Sequence, residues 1–119
     1  MKAIVKSIWL DSAAISLEEY SPEDPRCFGL WIEFRAGPEG KAGADDFRLF
    51  VCTPIWLKNE CNRKGETENR HVLVVEEYDP DVIKNKIDRR VENSKGENWP
   101  DIARKISRFA AWEFENYQS

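Results

Sequence analysis

The sequence is poor in the residues that carry catalysis, metal binding and export. Of 119 residues, one is histidine, one methionine and three cysteine. Cys27, Cys52 and Cys61 are odd in number and form no C-x-x-C pair. A secreted disulfide scaffold carries a larger, even number in a smaller domain, so all three read as reduced thiols of a cytoplasmic protein. No window approaches the roughly 20 apolar residues of a membrane span. The first apolar run is broken by Lys6, and no small-residue cleavage site follows it. Excess basic charge is missing too, since 18 Lys and Arg stand against 22 Asp and Glu, a formal net charge of −4. That balance excludes a general binder of the phosphate backbone and fits either plain solubility or a cationic partner.

The scarcity extends to motifs. His71 is the single candidate general base, and no oriented nucleophile is recognisable near it, so it reads as structural or surface. Cys52, Cys61 and His71 lie nine and ten residues apart, which is not the spacing of a zinc finger or ribbon. Gly37, Gly40 and Gly43 match neither a dinucleotide fingerprint nor a phosphate loop. Lys84, Lys86, Arg89, Arg90, Arg104, Lys105 and Arg108 sit among acidic neighbours at helical spacing, as on a solvated helix face. The expectation is a protein with no catalytic residues, no metal and no cofactor.

What the chain does have is aromatic mass: five Trp, six Phe and three Tyr, which supply large buried area per residue. A length of 119 residues suits one domain over 1–119. Ala3 to Leu10 reads as a strand, ending at Asp11-Ser12. Glu18 to Pro25 is a polar connection. Phe28 to Phe34 alternates, with Phe28, Leu30, Ile32 and Phe34 on one face and Gly29, Trp31 and Glu33 on the other. Ala36 to Gly43 can reverse the chain, and Phe47 to Cys52 resumes the alternation, which predicts an antiparallel hairpin.

Thr53-Pro54 opens a short helix near 54–60 that carries Trp56, and a polar loop follows from Asn62 to Asn69. His71 to Val75 is an unbroken apolar strand, expected to be covered on both faces. After Asp79-Pro80, Val82, Ile83, Ile87 and Val91 recur at helical spacing. Asn98 caps a last helix, with Asp101 as reciprocal partner and a stripe of Trp99, Ile102, Ala103, Ile106, Phe109 and Ala110. Nothing interrupts that helix before Phe114 and Tyr117, so it is expected to continue; Trp112 and Phe114 in a short strand are the alternative. The predicted fold is α+β: an antiparallel meander of about four strands, packed on one face by the two C-terminal helices.

With catalytic patterns absent, attention moves to surfaces. Glu18, Glu19, Glu23 and Asp24 form one acidic grouping. Glu76, Glu77, Asp79 and Asp81, around Tyr78, form a second, and Glu113 with Glu115 a third. Loop carboxylates beside aromatics can steer and anchor a basic protein, or simply keep loops solvated. Trp31 and Phe50, on the hairpin's second face, are candidates for a cognate surface or for self-association. A homo-oligomer stays open without being indicated.

Four segments together resemble the immunity protein 8 family. They are F-x-L-x-V-x-T-P-x-W-L (Phe47 to Leu57), R-H-x-L-x-V (Arg70 to Val75), Gly-x-x-Trp (Gly96 to Trp99) and W-E-F-x-x-Y (Trp112 to Tyr117). Pro100 after the helix-opening tryptophan is a departure that leaves the motif intact. The resemblance implies an α+β protein, encoded beside a polymorphic toxin, that protects its bacterial producer by binding the toxin. It supplies no mapped interface. Trp56, Trp99, Trp112, Glu113 and Phe114 match the motif and read as fold determinants. Glu18, Glu19, Glu23, Asp24, Glu76, Glu77, Tyr78 and Asp79 are the candidate toxin contacts. The expected partner is a cognate protein toxin of basic character, with neither nucleic acid nor membrane. Two alternatives stay open: a cytoplasmic adaptor unrelated to toxins, and a hydrolase using carboxylates such as Glu33 or Glu113.

Overall fold

A computed structural model describes residues 1–64 and 71–114. Arg70, Glu115, Tyr117 and most of the 62–69 loop lie outside the described residues. In chain order the elements are β1 (Ala3–Leu10), β2 (Gly29–Pro38), β3 (Asp45–Cys52), α1 (Pro54–Lys64), β4 (Val72–Val74), α2 (Pro80–Glu92), α3 (Trp99–Ile106) and β5 (Ala111–Trp112). The fold is α+β, as the sequence pattern predicts. β1 pairs antiparallel with β2, and β2 with β3 over its whole length. β2 runs on through Ala36-Gly37-Pro38, so the reversal is confined to 39–44, where Gly40 and Gly43 adopt positive φ angles of 74° and 98°.

The free side of β3 is shared. β4 lies beside Phe50 to Cys52 and is parallel, whereas β5 lies beside Phe47 and Arg48 and is antiparallel. The sheet is therefore not a pure meander. α1 is the crossover that returns the chain to the same end of the sheet, the connection a parallel pair requires. It is longer than expected, running to Lys64, and Thr53 Oγ1 accepts the Trp56 N–H at its start. β4 also departs from a strand covered on both faces, since Leu73 is buried while Val74 is 46% exposed.

The alternating residues of the hairpin build the core. Ile32, Phe34, Phe47, Leu49 and Val51 pack under Ile83, Ile87 and Val91 of α2 and Ile102, Ala103 and Ile106 of α3. Four rings cross this core in nearly parallel planes. Phe109 stacks on Phe34, Phe34 on Phe47 and Phe47 on Trp112, at centroid distances of 6.4, 5.4 and 6.4 Å. Each such pair adds about 0.5–1.5 kcal/mol beyond area burial. Asp79 and Asn98 cap α2 and α3 as expected. The Asp101 carboxylate instead lies toward Arg104 and Lys105.

The expected continuation of α3 is overturned. The helix ends at Ile106 with Ser107 as its cap, and the chain turns into β5. No glycine or proline is needed, because tertiary bonds favour the strand. A helix would have carried Glu113 into the apolar stripe. Just past the strand its N–H donates to the Asp46 carbonyl (3.0 Å), and its Oε1 accepts the Asp46 N–H (2.9 Å). Asp45, one residue away, accepts both the Trp99 and the Trp112 indole N–H on Oδ2, at 2.9 and 3.1 Å.

α1 occupies the opposite face from α2 and α3. Trp56 lies over Phe50, with ring centroids 5.1 Å apart, and a Cβ at Gly29 would come within 2.5 Å of its ring. Gly29 is therefore a close-approach position, not a hinge. Asp45→Ala, which strands two indole donors, is expected to lower unfolding free energy by about 2–4 kcal/mol, and Asp45→Asn by roughly half as much, in urea denaturation.

Candidate functional site

The first two acidic groupings meet at one end of the sheet, through Tyr78. Its N–H donates to the Pro25 carbonyl and its hydroxyl to the Leu17 carbonyl, both at 2.7 Å. Its ring stands edge-on to Tyr20 and Phe28, with centroids 5.7 and 5.2 Å away. Burial, then Tyr20 and Glu18, push its phenol up to about 12, so it remains a donor at neutral pH. Leu17, fully buried, anchors the same loop. The connection that carries Glu18, Glu19, Glu23 and Asp24 is thereby held against the one that carries Glu76, Glu77 and Asp79.

The eight candidate contacts have different duties. Asp79 caps α2, and Tyr78 is the clamp. Glu18 pairs with Lys84 at 2.7 Å, and this bond holds its carboxyl below the usual range. Asp24 accepts the Arg26 N–H. Glu19, Glu23, Glu76 and Glu77 are exposed and enter no ion pair among the described residues. Between Glu23, Asp24, Tyr20, Gly29 and Trp56 runs an open groove of about 700 Å³. A hollow of about 360 Å³ lies beside Glu76, Glu77 and Asp79.

A second constellation lies on the sheet face that α2 and α3 leave open. Trp9, Glu33 and Arg48 stand in one cross-strand row, flanked by Arg35 with Asp46 and by Trp31 with Phe50. Arg48 pairs with Asp11 at 2.8 Å and lies 4.6 Å from the centre of the Trp31 ring. Arg35 pairs with Asp46 at 2.9 Å. Glu33, Arg48, Asp46, Trp112 and Glu113 border a hollow of about 290 Å³. Phe50, expected to be open, is 7% exposed because Trp56 covers it, and Trp31 is half-buried.

Glu33 is the unusual group. Burial, a hydrogen bond with Asp11 and the nearness of Asp11 and Asp46 raise its carboxyl above the ordinary 4.5, against a smaller opposing pull from Arg48. Both carboxylates named for a hydrolase, Glu33 and Glu113, thus border one hollow, but Glu113 is bonded to the Asp46 backbone. His71 is buried, as is Cys52, whose thiol burial pushes up. Among the described residues no three His, Cys, Asp or Glu side chains are grouped to hold a metal, and no helix is long and apolar enough to cross a membrane. Asp45, Asp11, Arg48 and Trp9 escape a motif-based reading, since only cross-strand register brings them to their partners.

With the Trp99 and Trp112 indoles joined on Asp45, two of the segments that resemble a known family meet beside the start of a third, Phe47 to Leu57. The family model described as immunity protein 8 matches residues 3–117. The chain belongs to the immunity protein 8 family. It is thus a toxin immunity protein. No curated protein and no solved structure matches the chain. In this immunity protein Trp56 covers the end of the sheet, Trp99 and Trp112 hold Asp45, and Glu113 bonds to Asp46. Phe114 is 45% exposed and stands edge-on to Trp112.

A carboxyl raised on folding binds its proton more tightly in the folded chain than in the unfolded one. The stabilisation from protonated Glu33 is fully present below the ordinary glutamate pKa and is lost as pH rises through the raised value. Glu33→Gln should therefore be more stable than the wild type at pH 7, with the difference shrinking toward pH 4 in thermal melts.

Proposed function

We propose that this immunity protein neutralises a cognate polymorphic toxin in the cytoplasm by stoichiometric occlusion, making and breaking no covalent bond. The observation that carries the reading is the joining of two acidic loops by Tyr78, which concentrates Glu19, Glu23, Glu76 and Glu77 at one end, none of them in an ion pair among the described residues. Carboxylates left without partners at a surface are available to a basic one, and clustering strengthens the field a basic toxin meets on approach. Glu18, Asp24, Tyr78 and Asp79 contribute by holding these loops in place as well as by contact.

An interface of standard size, about 1,600 Å² in total, would cover a toxin's active site or its substrate approach. Charge at the rim of such an interface mainly accelerates encounter, whereas affinity rests on what is desolvated at its centre. The acidic end therefore reads as the steering part of the surface.

The test is binding and rescue with the inactivated toxin domain encoded beside this gene. The wild type should form a 1:1 complex and protect cells that express the active toxin. Combined Glu19→Lys, Glu23→Lys, Glu76→Lys and Glu77→Lys should slow association by about 10- to 100-fold at low salt and flatten its salt dependence, with little change in dissociation. A wild-type chain that neither binds nor protects removes the proposal.

A further inference from the structure

The open face of the sheet has a different character from the acidic end. Among the described residues α1 covers only the part near Gly29 and Phe50, and beyond it Trp9, Trp31, Glu33, Arg35 and Arg48 form the surface. Both arginines are committed, Arg48 to Asp11 and Arg35 to Asp46. Lys6, at the bulge in β1, donates to the Lys41 and Gly43 carbonyls. Glu113 is satisfied by the Asp46 N–H. Glu33, at the centre, has acids on two sides, and the cation beside it, Arg48, is paired with Asp11. It is flanked by the Trp9 and Trp31 rings, large surfaces that hold contact area at little entropic cost.

We infer that Glu33 is the locking point of the interface, receiving a lysine or arginine side chain from the toxin between the Trp9 and Trp31 rings. The inference rests on the immunity reading above and names the chemistry of the contact. Three observations support it. The first is charge: Asp11, Glu33, Asp46 and Glu113 stand against Arg35, Arg48 and Lys6, each of these cations already bonded within the chain, so the face is acidic in excess and complements a cation. A second copy of this chain would bring the same excess and be repelled.

The second is continuity. Gly29, Trp31 and Glu33 occupy successive same-face positions of β2, about 7 Å apart, and Gly29 also borders the groove that holds Glu23 and Asp24. Glu23 and Asp24, through that groove, and Glu33 therefore lie along the same strand, within reach of a partner that covers about 800 Å². The third is cost. A half-buried carboxylate crowded by acids weakens the free protein, and sequences break local rules of this kind chiefly at functional positions. An incoming cation would offset the crowding of Glu33 by Asp11 and Asp46.

The experiment measures the inactivated toxin domain against wild type, Glu33→Gln and Glu33→Lys by surface kinetics, with thermal melts alongside. Glu33→Gln should be at least as stable as the wild type at pH 7, yet bind about 10- to 100-fold more weakly through faster dissociation, the kinetic opposite of the acidic-end variants. Glu33→Lys should lose binding by more than about 100-fold while remaining folded. If the wild type binds and both variants match it, Glu33 is not a contact and the inference fails, while the immunity reading stands. If the wild type does not bind, both fall. Sedimentation showing a wild-type dimer that Glu33→Lys dissolves would assign the face to self-association and overturn the inference.

Discussion

The structure depends on one carboxylate. Asp45 Oδ2 accepts two indole N–H groups, from Trp99 at the start of α3 and from Trp112 in β5. The shared acceptor ties the start of the last helix to the same point of β3 that the last strand reaches through its own pairing and through Glu113. Charge-assisted bonds are among the stronger ones available. Here one oxygen closes the C-terminal third of the chain over the core, placing Trp112 on Phe47 and thus completing the four-ring stack. Asp46, on the opposite pleat, pairs with Arg35 and exchanges two bonds with Glu113. Two adjacent aspartates thereby serve both faces of the sheet, one part-buried at the edge of the core and one at the border of the open surface.

Much of this fold is legible in the sequence because period-two alternation reports directly on which residues face the core. Ile32, Phe34, Phe47 and Leu49 are read correctly for that reason, as are the caps at Thr53, Asp79 and Asn98, whose signals are local. What escapes is non-local. The parallel placement of β4 follows from how α1 folds back, which no residue in His71 to Val75 announces. The end of α3 at Ile106 is invisible too, because Ala110 to Phe114 carries no helix breaker and the competing strand exists only once β3 is beside it. Tertiary pairing overrides propensity there.

The candidate site divides along the same line. The acidic loops are visible as composition, but their meeting is not, since Tyr78 reads as an anchoring aromatic and turns out to be a clamp that bonds to Leu17 and Pro25. Glu33 and Trp31 are placed on the correct face by alternation alone. Their surroundings require cross-strand register, which sets Arg48 beside Trp31 and Asp11 near Glu33. A motif search attends to residues close in sequence, whereas a sheet surface is assembled from positions one per strand.

These arrangements explain why one small domain can present two kinds of electrostatics. At the acidic end the carboxylates are exposed, so their interaction with any partner is weakened by salt and acts mostly before contact. On the open face Glu33 is half-buried among aromatic rings, where screening is weaker and an unmatched charge costs more. A residue in that position stabilises a complex only when the partner supplies the missing cation, and otherwise disfavours it. As the proposed contact, it would discriminate between basic partners that the exposed loops would attract alike, because specificity needs a penalty for the wrong partner as well as a reward for the right one. Helices α2 and α3 close the other side of the sheet, so the face that can make this distinction is the one the fold leaves to the solvent.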